Sequence, residues 1–110
     1  MAQRPATLLH GTLNVLILKA LSPGKCHGYR IARWIEASTG DVLEIEEGSL
    51  CPALYRMEKR GWIEAEWGKS EFNRKAKFYQ LTEDGEGQLE LETQRWVAFS
   101  SAVTSVLLLA

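Results

Sequence analysis

A mainly α protein carrying one small β-hairpin, an α+β architecture, is the fold class that this 110-residue sequence predicts. Three observations predict it. Apolar residues recur at helical spacing in three successive stretches before Gly61, the period switches to two from Ile63 to Trp67, and a long segment after Thr82 carries a seven-residue recurrence. With 45% apolar and 25% charged residues the chain fits one globular unit, small enough that a second subunit would help it bury a core.

The first helix, Thr7 to Leu21, carries Leu8, Leu9, Leu13, Val15, Leu16, Ile17, Leu18, Ala20 and Leu21 and leaves little polar surface. A helix apolar nearly all round is buried on more than one side, so this one is expected to face its own core and a second subunit, with Leu9, Leu13 and Leu16 at the interface. Ser22-Pro23-Gly24 stops it, because proline disfavours helical geometry in the residue before it and glycine opens the turn. The second helix begins at His27-Gly28-Tyr29, sets Ile31, Trp34 and Ile35 on one face and Arg30 and Arg33 on another, and ends at Ser38-Thr39-Gly40. Taken alone, His27 reads as a structural or capping residue; no second histidine or carboxylate accompanies it at ligand spacing, and no metal site is predicted. Asp41 to Glu47 is an acidic connection.

Glu46 to Arg60, closed by Gly61, is the third helix. Leu50, Leu54 and Met57 form one buried stripe, leaving Ser49, Cys51, Tyr55, Arg56, Lys59 and Arg60 for other faces. A cap at Ser49 would put Pro52 at the third helical position, where a missing N–H costs nothing; a start at Glu46 or Glu47 is the alternative, and both stay open. A small polar and basic face on a short helix suits a DNA major groove.

Beyond Gly61, Ile63, Ala65 and Trp67 alternate with Glu64 and Glu66, the signature of a half-buried strand. A polar loop from Gly68 to Arg74 leads to a second strand, Lys75 to Leu81, rich in residues of high strand propensity. There Ala76 and Phe78 face opposite Tyr79 and Leu81, so either both faces are partly covered or a bulge intervenes. Thr82 then caps a long final helix, with Glu83, Asp84 and Glu86 placed where the helix dipole favours negative charge. Leu89, Trp96, Val103 and Ala110 recur every seven residues with Phe99 and Val106 between them, a seam for another helix. The apolar tail Val97–Ala110 is short of the ~20 residues that span a bilayer, so no membrane partner is expected.

The net charge of −1 argues against broad attraction to nucleic acid, but its distribution is uneven. Lys69, Arg74, Lys75 and Lys77 stand against Glu71 alone, whereas residues 82–110 hold five acids against Arg95. Cys26 and Cys51 are too few and too far apart for a metal cluster or a disulfide framework and are expected as reduced thiols. With no cleavable signal pattern at the N-terminus, the expected compartment is the cytoplasm. No nucleophile–base pair, paired carboxylates, phosphate-cradling glycine loop or metal spacing is found, so neither an enzyme nor a cofactor is expected.

Helix, helix, helix, hairpin is the order of a winged helix-turn-helix domain, here residues 7–82, followed by a C-terminal dimerisation helix, residues 83–110. Four segments in that order also resemble one family: Gly11-Thr12-Leu13 with its aliphatic helix, His27-Gly28-Tyr29-Arg30-Ile31, Gly48 through Ile63, and Asn73-Arg74-Lys75-Ala76-Lys77-Phe78-Tyr79-Gln80-Leu81-Thr82. Together, over residues 7 to 97, they resemble the PadR family of bacterial transcriptional regulators, and in length the chain is similar to its short members, the acidobacterial group among them. The resemblance implies a homodimer that represses transcription by occupying double-stranded operator DNA, often near genes for stress or drug response or transport, with the last helix packed on the partner's first. Candidate DNA contacts are His27, Tyr29, Ser49, Cys51, Pro52, Tyr55, Arg56, Lys59, Lys69, Asn73, Arg74, Lys75 and Lys77. Some small PadR-like proteins hold flat aromatic or cationic compounds between paired tryptophans, so Trp96 is either a contact for a small-molecule effector or an ordinary dimer-core aromatic. Two departures stand out: Cys51 occupies the place of the family's tyrosine, and Glu46 that of its small capping residue. The competing reading is a winged-helix module that binds a protein partner without DNA; the basic wing discriminates against it.

Overall fold

The computed structural model describes residues 11–110. The elements run α1 (Thr12–Ala20), β1 (Cys26–His27), α2 (Gly28–Ser38), α3 (Glu47–Lys59), β2 (Ile63–Lys69), β3 (Lys75–Leu81) and α4 (Glu83–Leu107). The expected start of the first helix at Thr7, with Leu9, lies outside the described residues. The three strands form one antiparallel sheet in the order β1-β3-β2. The hairpin register is unbroken from Ile63↔Leu81 to Lys69↔Lys75, so no bulge intervenes. Both faces are instead partly covered: Tyr79 and Leu81 lean on the core, while Phe78 on the opposite face meets the His27 ring edge-on at 5.4 Å between centroids.

His27 stands at the start of the second helix, in the capping place its sequence context suggested, but it also belongs to a strand that the sequence did not show. It pairs with Phe78 in β1 and then serves as the extended N-cap residue of α2. A two-residue strand has no period for a sequence pattern to reveal.

Helices α1, α2 and α3 bury Ile17, Leu18, Leu21, Ile31, Ile35, Leu50, Leu54 and Met57 against one another, with Ile63 of β2 closing the core. Leu13 and Leu16 of α1 and Leu89 of α4 pack against the same cluster and are half-buried before any partner is considered. The start of α3 is settled at Glu47 with Glu46 as N-cap, whose side chain makes no capping bond. Ser49 is therefore the third helical residue, its N–H bonded to the Glu46 carbonyl at 2.9 Å, and Pro52 is the sixth. Pro52 has no N–H to offer the Gly48 carbonyl, and the exposure of both residues leaves that carbonyl to water.

At its other end α3 closes as the sequence requires. Gly61 adopts φ +80°, a left-handed conformation, and lets the Trp62 N–H reach the Met57 carbonyl (3.0 Å) while its own N–H reaches that of Glu58 (3.0 Å). The beginning of α4 is stitched onto this turn. The Thr82 hydroxyl donates to the Gly61 carbonyl (2.6 Å) and accepts the Gly85 N–H (3.0 Å), and the Thr82 N–H bonds the Trp62 carbonyl (3.0 Å). Gly85 is buried so tightly there that a Cβ would sit 1.9 Å from the Trp62 carbonyl oxygen.

Candidate nucleic-acid interface

The core-facing stripe of α3, Leu50, Ala53, Leu54 and Met57, determines by subtraction what the helix shows to solvent. Cys51, Pro52, Tyr55, Arg56 and Lys59 are exposed, whereas Ser49 is half-buried beside the stripe. Lys59 holds its ammonium 5.4 Å from the centre of the Tyr55 ring, which orients both side chains along the exposed face. Glu47 and the N-cap Glu46 bring negative charge to the N-terminal end of the helix.

A cleft of about 550 Å³ joins this face to its neighbours: His27 and Tyr29 at the head of α2, Glu47 and Cys51 of α3, and Lys77 and Tyr79 of β3 line it. Four of the sequence-predicted contacts, from three separate segments, thus share one concavity. Tyr29 projects freely, 68% exposed, while His27 is held half-buried against Phe78. Burial pushes the Tyr79 phenol above its ordinary range, with Lys77 opposing and Glu58 and Cys51 adding to the rise, so it remains protonated.

The wing cations divide into two groups. Lys77 is half-buried, sits 3.4 Å from the Glu58 carboxylate of α3 and lies 5.8 Å over the Tyr79 ring, so it fastens the wing to α3. Lys69, Arg74 and Lys75 are exposed, and no carboxylate lies within ion-pair distance of them among the described residues. Lys75 rests 4.9 Å over the ring of Trp67, an exposed tryptophan on β2. Of the wing's acids, Glu66 pairs with Lys25 and Glu71 with Arg30 of α2 at 3.1 Å, while Glu64 is exposed opposite Gln80 at the core end of the hairpin, away from the tip. The exposed part of the hairpin therefore presents uncompensated positive charge despite the overall balance of the chain. Trp67 and Phe72, both strongly exposed, were not among the sequence-predicted contacts. The alternation reading counted Trp67 as half-buried, and Phe72 falls in a stretch read as a polar loop.

Both cysteines are free thiols; Cys51 is exposed, and burial raises the Cys26 thiol above its usual range against the pull of Arg30. No cluster of three or more His, Cys, Asp or Glu side chains able to hold a metal occurs among the described residues, and no described helix is long and apolar enough to cross a membrane.

Along α4 the apolar positions split. Leu89 packs on the core, and from Trp96 onward Trp96, Phe99, Val103 and Val106 are exposed, at three- and four-residue spacing on one side of the helix. Trp96 and Phe99 stack with centroids 6.2 Å apart and line a recess of about 330 Å³ with Gly11, Thr12 and Val15.

Comparison with known proteins agrees with this geometry. Residues 17–91 match the transcriptional regulator PadR-like family. A PadR-like transcriptional regulator from Bacillus cereus is 31% identical with a TM-score of 0.79, the match covering 94% of this chain and 98% of that one. A transcriptional regulator from Clostridium thermocellum is 26% identical (TM-score 0.78; 86% and 92% covered), and a PadR family regulator from Clostridium difficile is 29% identical (TM-score 0.75; 88% and 99% covered). These similarities concern regulators rather than enzymes, and they include both the winged helix and the helix that follows it. On the family match and the shared fold, the chain belongs to the PadR-like family of transcriptional regulators.

Proposed function

We propose that the protein is a homodimeric, sequence-specific repressor that acts in the cytoplasm on a pseudo-palindromic operator. Two copies of α3 enter successive major grooves about 34 Å apart. The observation that carries this reading is the pairing of an exposed polar α3 face with a wing tip whose cations Lys69, Arg74 and Lys75 are exposed while the nearby acids Glu66 and Glu71 are paired within the subunit. Tyr55, Arg56 and Lys59 face base edges and phosphates; Cys51, Pro52 and Tyr29 line the approach; Lys69, Asn73, Arg74 and Lys75 hold the backbone. His27, Ser49 and Lys77 support these from half-buried positions. The exposed α4 stripe, with Leu13 and Leu16 of α1, supplies the subunit seam, and the recess at Trp96 offers an entry for a flat effector that would loosen it.

A salt titration of affinity for an operator found by unbiased selection tests the reading. Neutralised phosphates release counterions, so log affinity should fall linearly with log salt, and the double variant R74A/K75A should weaken binding to every sequence alike and flatten the slope by about two. A slope near zero for the unaltered protein would point to a protein-binding module instead.

A further inference from the structure

Phe72 is the most exposed aromatic side chain among the described residues, at 74%, and it stands at the turn of the wing. It is absent from the apolar cluster, so its ring is not part of the core. The turn that carries it is nonetheless well built. The Ser70 N–H bonds the Arg74 carbonyl at 2.8 Å, the Asn73 N–H bonds the Ser70 carbonyl at 2.9 Å, and the Ser70 hydroxyl accepts the N–H groups of Phe72 and Arg74. Asn73 takes φ +59°, a left-handed conformation that asparagine tolerates and that sharpens the tip. Below the tip, the exposed pairs Arg30–Glu71 and Lys25–Glu66 connect the hairpin to α2 and to the turn before it, adding little to the order that the turn's own hydrogen bonds impose. The ring is thus displayed on a preordered support, flanked by the exposed amide of Asn73 and the cations of Lys69, Arg74 and Lys75.

We propose that Phe72 is a wedge that enters the minor groove beside the α3 site and partly unstacks one base step in each half-site, so that the operator is selected by the flexibility of that step. This rests on the DNA-binding reading above. An apolar side chain among donors and cations is the chemistry with which proteins pry open minor-groove steps, and pyrimidine–purine steps yield most readily. Seven-residue strands extend about 23 Å, enough for a hairpin rooted against the core to reach from one groove to the next, roughly half of a 34 Å turn away.

The experiment uses the full-length protein, the selected operator, and 2-aminopurine placed in turn at each step next to the α3 half-site, with TA and AA versions of the responding step. The expected result for the unaltered protein is a rise in fluorescence at one step per half-site and roughly 10-fold tighter binding to TA than to AA, the size of a single base-pair effect. F72A should keep its melting temperature and its salt slope while losing both the fluorescence rise and the TA preference; F72L should retain a part of each. Fluorescence and TA preference unchanged in F72A, or absent in the unaltered protein while the salt slope is normal, overturn the wedge and leave the DNA reading standing. Loss of the salt-dependent binding itself overturns both.

Discussion

Glu36 shows how one side chain positions α3, the helix proposed to face DNA, without facing DNA itself. Its carboxylate, 15% exposed, accepts the Ile45 N–H at 2.9 Å, and its carbonyl accepts the Thr39 hydroxyl and the Asp41 N–H. The turn from α2 into α3 is thus gripped by Glu36 at three points, beside the Thr39 hydroxyl that accepts the Leu43 N–H. The partner Arg33 is largely exposed, so that ion pair adds little. Replacing Glu36 with alanine removes a charge-assisted acceptor from a backbone donor and should cost about 1.5–3 kcal/mol of stability, whereas E36Q, which keeps an acceptor oxygen, should cost clearly less; thermal unfolding followed by circular dichroism distinguishes them. Equal losses for the two variants would mean that the carboxylate charge, and not the acceptor, matters. In isolation a glutamate on an amphipathic helix suggests solvation, so none of these contacts was legible in the sequence.

At the scale of elements, Gly85 sets how closely α4 can approach the end of α3. A methyl group there would overlap the Trp62 carbonyl and also press Leu81 at 3.2 Å, so G85A should destabilise the protein by about 1–3 kcal/mol, the range of overpacked sites, even though alanine favours a helix more than glycine does. G87A, at a position of α4 with open space around it, should be neutral or stabilising and serves as the control in the same melt. What the sequence discloses about these elements follows from period and punctuation. The core faces of α2 and α3, the Gly61 stop, the Thr82 cap and the hairpin all carry strong local signals. The strand at Cys26–His27 is too short to have a period, and the choice of Glu46 over Ser49 as N-cap runs against side-chain capping preference, so neither was decidable from the residues alone. The pairing of Arg30 with Glu71, 41 residues apart, belongs to tertiary structure. For the same reason the wing looks less basic in sequence than in space. Lys77 pairs with Glu58 of α3, while the acids Glu66 and Glu71 pair with Lys25 and Arg30 from outside the hairpin.

For the molecule as a whole, the projecting helix dominates the shape: α4 is about 37 Å long by its 25 residues, within a body 55 Å in its longest dimension. Its outer half exposes an apolar stripe that the subunit cannot cover. V103E places a charge in the middle of that stripe, away from the core, and should convert the dimer to a folded monomer in analytical ultracentrifugation while weakening operator binding by at least about 100-fold, since two linked half-sites no longer act together. A variant that still sediments as a dimer would move the seam elsewhere. The joint described between Gly61, Trp62, Thr82 and Gly85 then acquires a mechanical meaning. With two hydrogen bonds joining the turn after α3 to the cap of α4, and Gly85 packed on the Trp62 carbonyl between them, α3 and α4 meet like the arms of a set square. In the proposed dimer, such a corner would leave the distance between the two α3 helices to be decided where the α4 helices meet, and a molecule lodged beside Trp96 would act on DNA by leverage.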